Sequence, residues 1–184
     1  MQNEFKVGKA TVRLVRGDMA EMETDAIVNA ANSSLMGGGG VDGAIHRRGG
    51  PKILEECKRI RATEWPQGHP TGKAVITSAG NLKAKHVIHS VGPVWRGGNR
   101  GESELLAQAY QNSLRLAVAK GLKTVAFPSI STGAYGYPLE QASLVALKAV
   151  KGFLEKEDTF DEVVFVLFSD HDLEIYLKTV KALR

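Results

Sequence analysis

Asp42 stands two residues after the last of four consecutive glycines, residues 37–40, and this juxtaposition is where the sequence most clearly suggests chemistry. Glycines let backbone amides approach a ligand closely, and they adopt positive φ angles that side chains obstruct. An apolar strand pattern precedes the run and a helical pattern follows it, so free amides at the helix start would favour an anion, with a diphosphate as the obvious candidate. A flexible surface loop is the alternative, and the flanking strand and helix favour the phosphate interpretation.

A carboxylate beside a phosphate site is electrostatically unfavourable for a loop that only binds. We therefore expect Asp42 to orient or deprotonate a water that attacks a neighbouring sugar. The alternative is helix stabilisation by an acid in the first turn, worth about 0.3–1 kcal/mol. His46 lies four residues further on the same helix face and either assists or is structural. Asn29 and Asn32 either turn the chain or bind sugar hydroxyls, and Asn32 is the better candidate because it is nearer the glycines.

Common phosphate motifs do not explain this segment. Residues 38–43 have the spacing of a dinucleotide fingerprint, but that fingerprint should follow its strand directly, and eight residues separate Val28 from Gly37. A P-loop is excluded because no Gly-Lys followed by Ser or Thr closes the glycine run. The segment is predicted to bind a different kind of phosphate ligand.

A second loop rich in hydroxyl residues and glycines follows the apolar strand pattern of residues 124–127. Its amides suit phosphate, and Tyr135 or Tyr137 could cover a ribose. Residues 129–133 also resemble a nucleophile elbow whose first glycine is replaced by Ser129. Asp170 and His171 follow in the order of a serine hydrolase, but adjacent residues cannot easily align as base and orienting acid. The hydrolase interpretation is therefore disfavoured.

Two further candidates stand where strand patterns end. Asp18 could accept a hydrogen bond from an exocyclic amine such as that of adenine, or simply occupy a turn. Phe168 could stack on a base or fill the core, and its place in an apolar run favours core.

The elements that must position these residues alternate along the chain. Strand patterns occupy residues 5–7, 11–15, 25–28, 74–77, 87–91, 124–127 and 162–168, and helical patterns occupy residues 41–48, 51–61, 102–120, 139–155 and 173–183. Residues 163–168 are apolar on both faces, as in a strand covered by helices on each side. This order predicts an α/β/α sandwich whose ligands bind beyond the carboxyl ends of strands.

Composition narrows the class of protein. A chain of 184 residues, 43% hydrophobic and 24% charged, predicts a single domain over residues 1–184. No signal peptide or spanning segment is evident, so a cytoplasmic location and no membrane partner are expected. The net charge of +4 leaves RNA binding as a weak alternative, because the basic residues are dispersed.

Cys57 is the only cysteine and is expected to be an inert thiol. His86 and His89 should point to opposite strand faces, so no metal site is predicted.

These motifs together resemble a macro domain of the MacroD type, and most closely the bacterial O-acetyl-ADP-ribose deacetylases. The resemblance covers nearly the whole chain, including residues 87–93, and rests on four ordered segments: Gly17-Asp18-Met19, residues 25–34, residues 37–47, and residues 131–138. It implies a three-layer α/β/α sandwich around a mixed sheet, with ADP-ribose across the top and no cofactor.

The resemblance also implies a role for each site residue. Asp42 matches the catalytic aspartate, and Asn32 would hold the distal ribose. Asp18, Met19 and Phe168 would bind adenine, whereas the diphosphate and distal ribose would be enclosed by Gly40, Val41, Ser131, Thr132, Gly133, Ala134 and Tyr135. The implied reactions are release of acetate from O-acetyl-ADP-ribose and of ADP-ribose from acidic side chains of mono-ADP-ribosylated proteins; a non-catalytic ADP-ribose reader is the alternative. Two departures, Arg48-Gly49 and Ser169, put only the loop charge and the adenine end in doubt.

Overall fold

A computed structural model describes residues 3–183 of the chain. Seven strands form one sheet: β1 (Glu4–Val7), β2 (Ala10–Arg16), β3 (Ala26–Ala31), β4 (Ala74–Ser78), β5 (His86–Val91), β6 (Thr124–Phe127) and β7 (Glu162–Leu167). The α-helices are α1 (Gly40–Gly49), α2 (Pro51–Thr63), α3 (Glu102–Ala119), α4 (Leu139–Lys156) and α5 (Asp170–Ala182). A short 3-10 helix covers Met19–Glu21.

The sheet is mixed, as predicted. Its strand order is β1-β2-β7-β6-β3-β5-β4. The five central strands are parallel, whereas β1 and β4 pair antiparallel at the two edges. Because the carboxyl ends of the parallel strands meet at one edge of the sheet, the loops that follow them lie side by side. Along this edge the order is Asp18, Phe168, the loop after β6, Asn32 and Gly92.

Helices cover both faces of the sheet, which gives the predicted three layers. Strand β7 shows the division: Val163, Phe165 and Leu167 belong to the apolar cluster that includes residues of α3, α4 and α5. Val164 and Val166 belong to the second cluster, with residues of α1 and α2. The alternation of side chains along one strand therefore supplies apolar contacts to both helical layers.

Several strand ends differ from the predicted ones, and two of these differences concern site residues. Strand β3 continues through Ala31 instead of ending at Val28, because residues 29–31 pair with residues 89–91 of β5. Asn29 therefore lies inside the sheet with a fully buried side chain and does not form a turn. Strand β7 ends one residue early, at Leu167, and the side chain of Phe168 is 87% exposed. The expectation that Phe168 fills the core is wrong.

Among residues 3–183, no helix combines the length and the apolar character needed to cross a membrane.

Candidate active site

A cavity of about 300 Å³ opens at the carboxyl ends of β3, β5 and β6. Eight of the predicted site residues line it together: Asn32, Gly40, Val41, Asp42, Ser131, Gly133, Ala134 and Tyr135. Gly38, Gly39, Gly92, Ser129, Ile130 and residues 30–31 complete its wall. The structure thus brings the two predicted loops together around one cavity.

The glycine run leads into the first turn of α1, which faces the cavity. Gly37 and Gly40 have φ angles of +96° and +57°, a region that L side chains rarely adopt, as expected for two of the four glycines. Gly39 is the N-cap, and the first turn has no side-chain cap from the residues that the structure describes. The amides of this turn and the positive end of the helix dipole therefore suit an anionic group bound in the cavity.

Asp42 is only 5% exposed, and its two carboxylate oxygens have different surroundings. Oδ1 faces the interior, where it accepts a hydrogen bond from Nδ2 of Asn29 at 2.8 Å. Nε2 of His46 lies 3.3 Å from the same oxygen. Oδ2 lies on the side of Gly38, where an added Cβ would be 3.2 Å away. The interior thus holds Oδ1 and leaves Oδ2 directed toward the glycine run.

His46 shares a helix face with Asp42, as its spacing predicts, but it is absent from the cavity wall. The glycine run covers its ring, since a Cβ on Gly37 would lie 3.5 Å from the imidazole. Its position suits an effect on Asp42 and not direct contact with a ligand. The suggestion that it assists the reaction remains a prediction.

Asn32 both shapes its loop and faces the cavity. Its Oδ1 accepts hydrogen bonds from the amide and the hydroxyl of Ser34, which forms a side-chain turn. Its Nδ2 donates to the carbonyl of Gly37 at 3.1 Å, and within residues 3–183 the second hydrogen of that amide has no acceptor, so it could bind a ligand. A Cβ on Gly38 would lie 3.4 Å from Asn32 Nδ2, so this group and Asp42 Oδ2 flank the same glycine.

Ser131 is held in an uncommon backbone conformation beside the cavity. Its φ angle is +69°, and its buried Oγ has no hydrogen-bond partner among the described residues. Strained residues of this kind cluster at ligand sites, and the free hydroxyl suits a phosphate or ribose oxygen. His171 is exposed, and Asp170 pairs with Arg16, so the residues of the disfavoured serine triad do not assemble around Ser131.

The neighbouring hydroxyls of this loop serve its own structure. Thr132 Oγ1 donates within the loop to Ser129, and Ser129 Oγ lies 2.8 Å from the hydroxyl of Tyr176 on α5. Tyr110 on α3 accepts from the amide of Ile130 at 3.0 Å. Thr132 is the one residue of the predicted stretch 131–135 that does not line the cavity. Hydrogen bonds to the buried Tyr110 and Tyr176 thus hold this loop in place, and neither bond uses the side chain of Ser131.

Tyr135 lines the same cavity as Asp42. Burial raises the pKa of Tyr135, and the negative charge of Asp42 raises it further, so the hydroxyl remains a donor at neutral pH. The carbonyl of Tyr135 accepts from the amide of Trp95, which joins this loop to the one after β5.

Glu102 organises the loop after β5. Its carboxylate accepts hydrogen bonds from three backbone N–H groups at 2.7–2.9 Å, and these bonds lower the pKa of Glu102 to about 2.

The predicted adenine-binding residues lie outside the cavity wall, toward β2 and β7. Asp18 caps the 3-10 helix through Oδ1, and its Oδ2 lies 3.3 Å from Arg48. Met19 is 4% exposed and packs in the core cluster of α1 and α2. Phe168 directly follows Leu167, whose carbonyl accepts from the amide of Gly17, so Phe168 and Asp18 emerge close together.

The two departures from the family pattern both have structural roles. Arg48 pairs with Asp18 and also with Glu21. Its positive charge therefore lies beside Asp18, the residue that the resemblance assigns to adenine. Ser169 is the N-cap of α5 and accepts from the amide of Asp172.

The sequence did not indicate that Asn29, His89 and Cys57 lie together behind Asp42. These three residues are buried beside the partly buried His46, and potential ligand atoms of His46, Cys57 and His89 lie within 4.8 Å of one another. Cys57 is fully buried, and burial raises the pKa of its thiol to about 12, which agrees with the expected inert thiol. The available signal was a buried polar pair, Asn29 and His89, on strands that lie far apart in sequence.

Comparison with known proteins agrees with this architecture. The macro domain family model matches residues 28–146. A macro domain-containing protein of Caldanaerobacter subterraneus is 59% identical over 95% of this chain and 98% of its own length. An O-acetyl-ADP-ribose deacetylase of Citrobacter koseri is 53% identical over 91% of this chain and 94% of its own. A solved structure, a mutant of the Oceanobacillus iheyensis macrodomain with ADPR, superimposes with a TM-score of 0.95 at 43% identity, covering 98% and 97% of the two chains. With its mixed sheet, its glycine run at the start of α1 and these relatives over nearly its full length, the chain belongs to the macro domain family.

Proposed function

We propose that this protein is an ADP-ribose-binding hydrolase that cleaves an ester at the distal ribose. Its substrates would be O-acetyl-ADP-ribose, from which it releases acetate, and proteins that carry mono-ADP-ribose on acidic side chains. The relative from Citrobacter koseri bears the name of the first activity. The single observation that carries the proposal is the buried carboxylate of Asp42, which lies in the first turn of α1 and lines the same cavity as Asn32.

The cavity supports binding of the diphosphate and the distal ribose. The uncapped first turn of α1 and the free hydroxyl of Ser131 would bind phosphate oxygens from two sides. The free hydrogen on Asn32 Nδ2 would bind a ribose hydroxyl. The adenine would lie outside the cavity, against Phe168, with its amine donating to Asp18.

Asp42 would then act on water. Its Oδ1 is already bound to Asn29, so Oδ2 would accept a hydrogen bond from the attacking water and align it. In O-acetyl-ADP-ribose the water oxygen adds to the acetyl carbon, the ester C–O bond breaks, and the ribose oxygen leaves with a proton. The products are acetate and ADP-ribose, and no cofactor enters this scheme.

A non-catalytic reader of ADP-ribose would share the glycine run but would gain nothing from an oriented carboxylate beside a phosphate. Acetate release from O-acetyl-ADP-ribose, measured beside calorimetry with ADP-ribose, separates the two. A hydrolase binds ADP-ribose and releases acetate, whereas a reader binds ADP-ribose and releases none. The second outcome would overturn the proposal.

The protein substrate needs its own test. Incubation with a peptide ADP-ribosylated on glutamate, in water enriched in oxygen-18, should release ADP-ribose. Label in the glutamate carboxyl would indicate attack at the acyl carbon, and label in the ribose would indicate attack at the anomeric carbon. Absence of release, with acetate release intact, would restrict the function to the small-molecule ester.

A further inference from the structure

A chain of hydrogen bonds runs from Asp42 into the centre of the protein. Nδ2 of Asn29 donates to Oδ1 of Asp42 and lies 3.1 Å from Nδ1 of His89. Nε2 of His89 lies 2.9 Å from the hydroxyl of Thr77, which donates to the carbonyl of Ser78. The strand register produces this arrangement, because Asn29 on β3 pairs directly with His89 on β5.

The polarity of every bond in this chain is fixed. Asp42 accepts as a carboxylate, so the amide of Asn29 presents Nδ2 to it, and the second hydrogen of Nδ2 points to His89. Nδ1 of His89 therefore accepts, and its proton is on Nε2. That proton is donated to Thr77, whose own hydroxyl hydrogen is used on Ser78. Only one tautomer of His89 satisfies both of its neighbours.

The contact with Asp42 excludes the alternative orientation of Asn29. A flipped amide would place its carbonyl oxygen against the carboxylate of Asp42, where two acceptors repel each other. The observed orientation leaves Asn29 Oδ1 buried without a partner among the described residues. A buried carbonyl without a donor is unfavourable, so the two bonds made by Nδ2 must outweigh it.

We propose that His89 is a positioning residue for the reaction, acting on Asp42 through Asn29. The lone pair on Nδ1 holds the Asn29 amide with Nδ2 toward Asp42, and this hydrogen bond fixes the carboxylate with Oδ2 directed toward the cavity. His89 does not line the cavity and touches no substrate in this scheme. The inference rests on the proposed hydrolase function of Asp42.

The surroundings of His89 keep it in the neutral form that this role requires. The ring is fully buried, and burial lowers the pKa of His89 to about 3, with the nearby His46 adding to the effect. Cys57 Sγ lies 3.8 Å from Nε2, but its thiol is protonated and leaves the hydrogen bond to Thr77 in place. Both ring nitrogens are therefore used within the chain of hydrogen bonds.

Three variants test the proposal. His89→Asn places an amide oxygen near the position of Nδ1 and keeps an acceptor for Asn29, whereas His89→Leu fills similar volume without one. Cys57→Ala is the matched control, because it removes packing against the same ring and no bond in the chain. The readouts are kcat and KM for acetate release from O-acetyl-ADP-ribose, and Kd for ADP-ribose by calorimetry.

We expect His89→Leu to lower kcat about tenfold or more, with KM and Kd within about twofold of wild type. A misdirected Asp42 carboxylate would slow the reaction more than it would weaken ligand binding. His89→Asn should recover most of kcat, and Cys57→Ala should keep it. Equal turnover of His89→Leu and wild type would overturn the proposal. A parallel loss of kcat and ADP-ribose affinity, or no recovery in His89→Asn, would also overturn it by indicating a packing role.

A measurement on the wild-type protein removes dependence on the variants. Long-range proton–nitrogen NMR spectra of the histidines should place the proton of His89 on Nε2 at neutral pH. A proton on Nδ1 would contradict the proposal even if His89→Leu does not fold. If the wild-type protein releases no acetate, the proposed function fails, and the same spectrum still decides whether His89 orients Asn29.

Discussion

Gly92, at the end of β5, packs directly against Ser131 in the loop after β6. A Cβ at position 92 would overlap Oγ of Ser131 and Cγ2 of Ile130. The contact joins the ends of two strands that are not neighbours in the sheet, with β3 between them. It also supports the left-handed conformation in which Ser131 faces the cavity.

We therefore expect Gly92→Ala to displace the Ser131 loop. Overpacking of this kind typically costs about 1–3 kcal/mol of stability. Affinity for ADP-ribose should fall at least fivefold, because the displaced loop carries the free hydroxyl of Ser131. Urea denaturation and calorimetry measure the two effects. Gly152→Ala on α4 is the control, since a Cβ there meets nothing within 4 Å and Gly152 does not line the cavity; equal effects of the two substitutions would refute the packing argument.

Replacing Asn29 by aspartate should make turnover increase as the pH falls. The variant would place a second carboxylate within hydrogen-bond distance of Asp42. Repulsion between the two negative charges raises the pKa of one carboxyl group of the pair. We expect kcat to fall about tenfold or more at pH 7.5 and to recover toward pH 5, where the pair holds one proton. Asn29→Ala should lose turnover without that recovery. A flat profile for Asn29→Asp would argue against the contact with Asp42.

Phe168→Ala separates a stacking role from a core role. The side chain is 87% exposed, so its loss should change stability by less than about 0.5 kcal/mol. If it stacks on adenine, affinity for ADP-ribose should fall about fivefold or more, whereas affinity for ribose 5-phosphate should not change. Leu144→Ala on α4 is a control at another exposed apolar position. Unchanged ADP-ribose affinity would remove Phe168 from the site.

His89 should make the protein less stable as the pH falls below 6.5. The unfolded chain binds a proton on this histidine near its ordinary pKa of 6.5, whereas the folded protein binds it only near 3. Between these values the unfolded state holds more protons, so the free energy of unfolding falls by about 1.4 kcal/mol per pH unit. Urea titrations at pH 7, 6 and 5 should show this loss in wild type and a smaller loss in His89→Asn. Equal slopes would indicate that His89 titrates normally in the folded protein.

Much of the site could be predicted from local pattern. The strand, the glycine run and Asp42 follow one another closely in the chain, so their spacing alone places a carboxylate in the first turn of α1. The unbroken apolar run of residues 163–168 likewise predicts a strand covered on both faces. Such features depend on neighbours in sequence, which is why periodicity reveals them.

The remainder depends on contacts between distant segments. Asn29 meets His89 because β3 pairs with β5, and no local pattern states which strands pair or in which register. The requirement for glycine at position 92 arises from Ser131, 39 residues later in the numbering. Phe168 continues an apolar run, so hydropathy could not show that the strand ends one residue before it.

The central claim is that Asp42 is needed for cleavage and not for binding. Asp42→Asn preserves volume and an acceptor for Asn29 while removing the charge, so it tests the claim most directly. The account predicts that kcat for acetate release from O-acetyl-ADP-ribose falls about 100- to 10,000-fold, with Kd for ADP-ribose within about threefold of wild type. A kcat within about threefold of wild type would contradict the catalytic role of Asp42.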